Sequence, residues 1–164
     1  MKLAQFVMVL AIGLLAMARV QAETAIFAGG CFWCMEADFE KVDGVSDVIS
    51  GFTGGTAKNP TYNGDHTGHY EAVKVTYDPE KVTFEALLDH YWVNIDPFDD
   101  RGQFCDKGPS YRSAIFVAGE EQKRLAELSR REVVEQFPDR KVVTPILPAM
   151  TFYPCLLYTS DAAD

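Results

Sequence analysis

The sequence predicts an α+β fold, a two-layer sandwich in which helices cover one face of a mainly antiparallel mixed sheet. Two observations carry this prediction. Short apolar or alternating segments typical of strands are mixed with longer segments that have apolar residues at helical spacing or a high charge. The resulting order of elements is β-α-β-β-α-β-α-β, without internal repeats or low-complexity linkers.

The composition indicates one globular domain. The chain has 164 residues, of which 48% are hydrophobic and 24% are charged, so it can bury a core and is not disordered. Its net charge is −9, and it contains no basic run. Binding to the phosphate backbone of nucleic acids is therefore not expected.

The first half of the chain contains three predicted strands and one predicted helix. Residues 24–28 form a short apolar strand that Gly29-Gly30 interrupts, and residues 31–42 carry apolar side chains at helical spacing. Residues 45–52 and 71–77 are β-branched or alternate in polarity, which predicts two further strands. The loop between them is rich in Gly, Asn, Thr and His, and its length is typical of a functional loop.

The second half contains two predicted helices and two predicted strands. Apolar residues recur at helical spacing over residues 84–95, and Pro97 ends that helix. A second long polar loop, residues 96–110, follows. The remaining predicted elements are a strand over 113–118, a charged helix over 120–137 and a strand over 141–147.

Residues 1–22 have the features of a cleavable signal peptide. Lys2 is followed by an uncharged apolar run of 16 residues and then by the small-residue pattern Val20-Gln21-Ala22. We therefore expect cleavage after Ala22 and export, to the bacterial periplasm. The apolar run is shorter than the roughly 20 residues that a membrane-spanning helix needs. An uncleaved anchor is thus the less favoured alternative, and no stable membrane insertion is expected after cleavage.

The last ten residues, 155–164, differ in character from the rest of the chain. Their back-translation reproduces a transposase-end adapter used for sequencing libraries, so we interpret them as translated adapter and not as native protein. A domain over residues 23–154, truncated at its C-terminus, is then expected. Cys155 should accordingly carry no chemistry.

The segment GGCFWC at residues 29–34 carries the candidate nucleophile. Its two glycines permit a sharp turn from strand to helix. This turn places Cys31 at the helix N-terminus, where free N–H groups and the helix dipole stabilise a thiolate. A buried structural cysteine is one alternative, and a CxxC redox pair of Cys31 and Cys34 is another. A zinc site lacks a second pair of closely spaced ligands, so no metal is expected.

From Phe27 to about Tyr153 the sequence resembles the peptide-methionine (S)-S-oxide reductases of type A. Four separated motifs carry the resemblance: FAGGCFWC at 27–34, GFTGGTAKNPTY at 51–62, TGHYEAVKVTYDP at 67–79 and CDKGPSYRSAIF at 105–116. The resemblance implies a two-layer fold with a ferredoxin-like core. It also implies thiol-dependent reduction of methionine-S-sulfoxide, free or in proteins. Family members usually continue after a Phe-Tyr pair into an acidic tail, where this chain runs into the predicted adapter.

Sulfoxide reduction needs a nucleophile for sulfur, a proton for the departing oxygen and a pocket for the methyl group. Cys31 is the expected nucleophile. Glu71, at the start of an apolar strand, suits a carboxylic acid kept protonated by burial, and the resemblance assigns it the role of proton donor. His69 is expected to order its loop. The resemblance implies five substrate-binding residues: hydroxyl donors Tyr62 and Tyr111, the orienting acid Asp106, and an aromatic wall of Phe32 and Trp33 for the S-methyl group.

The oxygen taken up by Cys31 leaves a sulfenic acid, with which a second thiol condenses to form a disulfide. Cys105, in a loop that can move, is the favoured resolving residue, and Cys34, one helical turn after Cys31, is the alternative. A thioredoxin-like protein outside the cytoplasm would reduce the disulfide. We expect a monomeric enzyme without a bound cofactor that repairs oxidised proteins. The competing functions are an exported CxxC thiol-disulfide oxidoreductase and a secreted binding module with incidental cysteines.

Overall fold

The structure is a computed structural model in which residues 21–155 are described. Nearly all of the predicted signal peptide (1–22) and of the predicted adapter segment (155–164) lies outside the described residues, so both stay predictions. No helix in the described part is long and apolar enough to cross a membrane. The elements are β1 (Glu23–Gly29), α1 (Phe32–Phe39), β2 (Val45–Thr53), β3 (Tyr70–Tyr77), α2 (Phe84–Val93), β4 (Gly102–Gln103), β5 (Asp106–Lys107), a 3-10 turn (Pro109–Tyr111), β6 (Ser113–Val117), α3 (Gly119–Gln136), β7 (Ile146–Pro148) and β8 (Tyr153–Pro154).

Six strands form one sheet in the order β7-β6-β1-β3-β2-β8, and β4 and β5 form a separate small hairpin. The β6–β7 pair is parallel. The other neighbouring strands of the large sheet are antiparallel. The predicted α+β class with a mainly antiparallel mixed sheet is therefore confirmed.

One face of the sheet carries the helices. The register pairs Phe27 of β1 with Val73 of β3 and with Ile115 of β6, so their side chains share a face because strand side chains alternate. The Phe27 ring stacks on Phe39 of α1 and on Tyr91 of α2, with ring centroids 5.1 Å apart in each pair. These residues belong to one buried cluster that joins the helices to the sheet.

The opposite face of the sheet is covered by the C-terminal segment. Ala72, Ala114 and Phe116 on this face pack with Leu147 and Phe152 in a second buried cluster. The chain crosses this face between β7, at one edge of the sheet, and β8, at the other. The prediction that the helices lie on one face is thereby confirmed.

The predicted strand over 141–147 is wrong for most of its length, since β7 begins only at Ile146. The preceding residues hold other parts of the chain. The Val143 amide donates to the Pro97 carbonyl at 2.8 Å, and the Thr144 hydroxyl shares a buried 2.8 Å hydrogen bond with Ser113. Pro145 has no N–H for a strand ladder, and its carbonyl accepts a hydrogen bond from the Ile115 amide.

Candidate active site

The turn between β1 and α1 presents Cys31. Gly30 has a φ of +94°, a conformation that glycine adopts without strain. A side chain at Gly29 would lie 2.7 Å from the Met35 sulfur and 2.8 Å from Ile95, so the strand and the helix approach each other closely here. Cys31 is the N-cap residue of α1, and its carbonyl accepts hydrogen bonds from the Cys34 and Met35 amides. The thiol is half-buried at the N-terminal end of α1, where the helix dipole is positive.

Glu71 lies next to this turn on the face of the sheet that carries the helices. It is 2% exposed, and its Oε2 accepts a hydrogen bond of 3.1 Å from the Phe32 amide. Burial raises the pKa of Glu71, and this effect outweighs the lowering by the Phe32 amide and by the His66 charge. The acid therefore keeps its proton at a higher pH than an exposed glutamate does, as a proton donor requires.

Tyr111 brings the predicted polar residues together. Its pKa is raised, first by the negative charge of Glu71 and then by burial and by Tyr62, Asp106 and Cys31. These groups come from separate parts of the chain, and the 3-10 turn that carries Tyr111 contacts both β3 and β4. A phenol O–H is a hydrogen-bond donor, so Tyr111 can donate to an oxygen in the site.

Aromatic side chains form one side of the site. The Phe32 ring is fully buried and lies 5.6 Å from the Trp33 ring and 6.1 Å from the Tyr62 ring, centroid to centroid. Trp33 and Tyr62 also contact each other at 5.3 Å, and Trp33 is 44% exposed. Trp33 and the half-buried Tyr62 thus form the accessible surface of the predicted aromatic wall, and Phe32 supports them from beneath.

The two candidate resolving thiols differ in their surroundings. Cys34 lies on the first turn of α1, close to Cys31, and the pKa of Cys34 is raised first by burial and then by the charge and the side chain of Cys31. Cys105 is exposed in the two-residue turn between β4 and β5. Asp106 follows it directly. The reduced structure brings Cys34 to the nucleophile and leaves Cys105 accessible to solvent, and the identity of the resolving thiol stays a prediction.

His69 orders the loop before β3. The Gly55 amide donates to its Nδ1 at 3.3 Å, so Nε2 carries the proton and donates to the Ala57 carbonyl at 2.9 Å. Because both ring nitrogens are engaged and the ring is fully buried, His69 is not placed to act as a base. The predicted loop-ordering role is confirmed.

Two residues near the site carry no clear signal in the sequence. Gln103 is buried, and its side chain bonds to the backbone of Asp96. The His66 ring stacks on Phe52 at 5.1 Å, and the β2–β3 register places Phe52 opposite Glu71. A single Gln or His in a polar loop is usually solvated, and no motif would have identified either residue. Within residues 21–155 no group of three His, Cys, Asp or Glu side chains could hold a metal.

A sheet with its helices on one face, and a thiol on a turn that is hydrogen bonded to a buried acid of raised pKa, are features of a thiol-dependent enzyme. Comparison with known protein families identifies the family within this class. The family model described as peptide methionine sulfoxide reductase matches residues 23–161. The chain belongs to the peptide methionine sulfoxide reductase family and is an oxidoreductase that reduces methionine sulfoxide.

Individual relatives agree with this assignment. The peptide methionine sulfoxide reductase MsrA 2 of Caulobacter vibrioides is 53% identical over 151 residues, which are 90% of this chain and 76% of that protein. The structure of methionine sulfoxide reductase A of Corynebacterium diphtheriae is similar with a TM-score of 0.72 at 33% identity, over 82% of this chain and 70% of that one. Mxr1 of Saccharomyces cerevisiae in complex with Trx2 has a TM-score of 0.61 at 22% identity, over 82% and 81% of the two chains. The last likeness shows the fold alone.

The comparisons confirm the family that the four sequence motifs indicated, and they do not support the alternative of a CxxC thiol-disulfide oxidoreductase. The family model extends past Pro154 into the predicted adapter segment. In the structure the Cys155 amide donates to the Ser50 carbonyl at 2.9 Å. A backbone bond of this kind does not depend on the side chain, so the origin of residues 155–164 stays a prediction.

Proposed function

We propose that the chain reduces methionine-S-sulfoxide, free or in proteins, with Cys31 as nucleophile and Glu71 as proton donor. One observation carries the proposal. The amide directly after Cys31 is hydrogen bonded to the buried carboxyl of Glu71 at 3.1 Å. This bond ties the proton donor to the turn that holds the nucleophile, so a sulfoxide sulfur at the thiol would have its oxygen near the acid.

In the first step the Cys31 thiolate attacks the substrate and Glu71 gives up its proton. The oxygen moves from the substrate sulfur to Cys31 and takes that proton, so methionine leaves and Cys31 becomes a sulfenic acid. The substrate sulfur is reduced by two electrons and the cysteine sulfur is oxidised by two. Hydrogen bonds from the Tyr62 and Tyr111 hydroxyls to the oxygen would stabilise the charge that develops there.

In the second step a cysteine thiol condenses with the Cys31 sulfenic acid. A disulfide forms and one water leaves, which accounts for the oxygen. Cys105 is proposed as the resolving residue because it lies exposed in a hairpin turn directly before Asp106. Cys34 is the alternative, supported by its place one helical turn after Cys31, whose charge and side chain raise the pKa of Cys34. The Cys31–Cys34 contact alone does not decide, since a disulfide between residues of one helical turn is geometrically constrained.

The disulfide requires an external two-electron reductant, for which we propose a thioredoxin-like dithiol protein. A thiolate of the donor attacks one sulfur of the disulfide, and its second thiol releases the reduced enzyme. An exposed resolving cysteine is accessible to such a donor. The Trx2 complex of Mxr1 concerns that yeast protein, and the proposal for this chain rests on the chemistry of its own thiols.

Separate assays on the two epimers of methionine sulfoxide test the proposed function. The S epimer should be reduced with dithiothreitol as reductant and the R epimer should not, because one site must fix the methyl group, the oxygen and the lone pair at once. Cys31→Ser should abolish the reaction. Equal rates on both epimers, or full activity in Cys31→Ser, would refute the assignment.

We further propose that the enzyme acts outside the cytoplasm, in a bacterial periplasm. The support is the N-terminal sequence alone, with Lys2, an apolar run and the pattern Val20-Gln21-Ala22. Expression in a Gram-negative host followed by N-terminal sequencing of the periplasmic fraction tests this. A mature protein beginning at Glu23 is expected, and an unprocessed chain in the cytoplasm would contradict the proposal.

A further inference from the structure

Gln103 is a buried polar side chain inside a polar loop. It is 1% exposed, and every polar atom of its amide is hydrogen bonded to backbone. Its Oε1 accepts from the Asp96 amide at 2.7 Å, and its Nε2 donates to the Asp96 and Gly102 carbonyls at 2.9 Å. The side chain thus joins Asp96, in the loop after α2, to the β4–β5 hairpin.

The aliphatic part of Gln103 packs against the turn that carries the nucleophile. A side-chain carbon built on Gly30 would lie 2.8 Å from the Cβ of Gln103. The backbone of the residue before Cys31 therefore rests on the Gln103 side chain. Gln103 contacts the Cys31 turn with its methylene groups and the loop with its amide.

The hairpin that begins at Gln103 leads directly to other residues of the site. Gln103 pairs with Asp106 across the hairpin, and Cys105 lies in the turn between them. The hairpin is tightly closed, because a side chain on Gly102 would lie 2.2 Å from the Asp106 carbonyl oxygen. Movement of Gln103 must therefore carry Asp106 with it.

We propose that Gln103 is a positioning residue, which holds the loop that carries Asp106 and Cys105 in fixed register with the turn that carries Cys31. This inference rests on the proposed roles of those three residues. Gln103 itself touches no reacting atom. The loop with Asp106 places the substrate, and Cys31 attacks it from the other segment, so the reaction depends on how the two segments are aligned. An error of about 1 Å in such an alignment costs on the order of 100-fold in rate.

The substitution Gln103→Met separates the two contacts. Methionine has a similar length and keeps the methylene groups that support Gly30, but it removes the three hydrogen bonds to the backbone. Measured as single-turnover release of methionine from the S-sulfoxide, the rate should fall by about 10- to 100-fold. Alkylation of Cys31 by iodoacetamide needs no substrate placement and should stay within about 2-fold of the wild-type rate.

Gln122→Met is the matched control. Gln122 also bonds the backbone with both ends of its amide, to the Ala118 amide and the Thr24 carbonyl, but it lies on α3, outside the site. Both variants should lower the melting temperature, and only Gln103→Met should lower the single-turnover rate. A single-turnover rate for Gln103→Met within about 2-fold of the Gln122→Met rate would overturn the proposal and leave Gln103 a purely structural residue.

A second measurement separates this proposal from the proposed function. The Gly108 amide donates to the Arg101 carbonyl at 2.8 Å. This bond lies in the same loop as Gln103, but Gln103 is not one of its partners. Hydrogen exchange at Gly108 should be at least about 10-fold faster in Gln103→Met if the side chain holds the loop. If the wild-type chain failed to reduce sulfoxide, the proposed function would fall. Hydrogen exchange at Gly108 would then decide whether Gln103 holds the loop. The same exchange rate in Gln103→Met and in the wild type would refute that role.

Discussion

Replacing Glu71 by glutamine removes the proposed proton donor and little else. The amide has nearly the same shape as the carboxyl group, and its oxygen can accept the 3.1 Å hydrogen bond from the Phe32 amide. The turn that holds Cys31 should therefore keep its structure. What the variant lacks is an acidic proton for the departing oxygen, since an amide does not act as a general acid at neutral pH.

The expected loss of activity follows from the size of general acid catalysis. A positioned acid contributes roughly 10²- to 10⁴-fold, which corresponds to about 3 to 5 kcal/mol of transition-state stabilisation at 1.36 kcal/mol per factor of ten. We expect Glu71→Gln to lower kcat/KM for the S-sulfoxide by about 10²- to 10³-fold, because Tyr111 remains near the site as a weaker donor.

The pH dependence of activity provides an independent test of the role of Glu71. The pKa of Glu71 is raised by burial, and only its protonated form donates, so wild-type activity should fall as the pH rises through this raised pKa. In Glu71→Gln that decrease should be absent. Folding is affected in the same direction: a raised folded pKa contributes stability that is fully present below the unfolded pKa and is lost as the pH rises through the folded pKa. At alkaline pH the variant should therefore equal or exceed the wild type in free energy of unfolding.

Single-turnover assays between pH 5 and pH 9, with urea unfolding at the same pH values, measure both effects. Glu36→Gln is the matched control. Glu36 is a half-buried carboxylate on α1 that accepts a hydrogen bond from the Ser50 hydroxyl, and it has no proposed role in the reaction. A Glu71→Gln variant that kept more than about a third of the wild-type kcat/KM, with the same pH profile, would refute the role of Glu71.

Three further predictions concern the resolving thiol, the oxygen site and the core. Cys105→Ser should still release about one equivalent of methionine in a single turnover and then stall as a sulfenic acid with a thioredoxin-type reductant. Cys34→Ser should turn over, whereas a Cys31–Cys34 disulfide in peptide maps, with normal turnover of Cys105→Ser, would reverse the assignment. Tyr111→Phe should lower kcat/KM by about 10- to 100-fold through loss of one hydroxyl donor, and kinetics equal to wild type would exclude Tyr111 from the oxygen site. Tyr91→Phe should lower the free energy of unfolding by about 1 to 2 kcal/mol, because its buried hydroxyl donates to the Ala28 carbonyl at 2.8 Å; unchanged urea denaturation would contradict this.

The long elements of the fold could be predicted because their own side chains define them. The apolar spacing over residues 84–95 corresponds to α2, and the alternation over 71–77 corresponds to β3. The short strands have no such pattern. β4, β5 and β8 contain two residues each, too few for a period to be visible. They exist because their partners hold them, and this depends on tertiary structure that the local sequence does not encode.

The chemical residues of the site could be predicted better than the residues that position them. Cys31 was found because its glycine turn and helix start have a local signature. The raised pKa of Cys34 beside Cys31 depends on the side-chain conformations of both cysteines, and the burial of Gln103 depends on how the loop after α2 folds onto Gly30. Neither property is visible in spacing or composition, since a glutamine in a polar loop is by default exposed.

Glu71 shows why a departure from a strand's own pattern indicates function. Along β3 the side chains of Val73, Val75 and Tyr77 point into the helix-covered core, and the two-residue period places Glu71 on the same face. An apolar residue would suit this position better, because a buried carboxyl group costs free energy that one backbone hydrogen bond offsets only in part. A position that lowers stability in this way is expected to serve the reaction. Glu71→Gln should therefore be at least as stable as the wild type at alkaline pH while it loses activity. Replacing an exposed acid by glutamine would change neither the free energy of unfolding nor the activity. Replacing an acid with a purely structural role would lower the free energy of unfolding at alkaline pH as well.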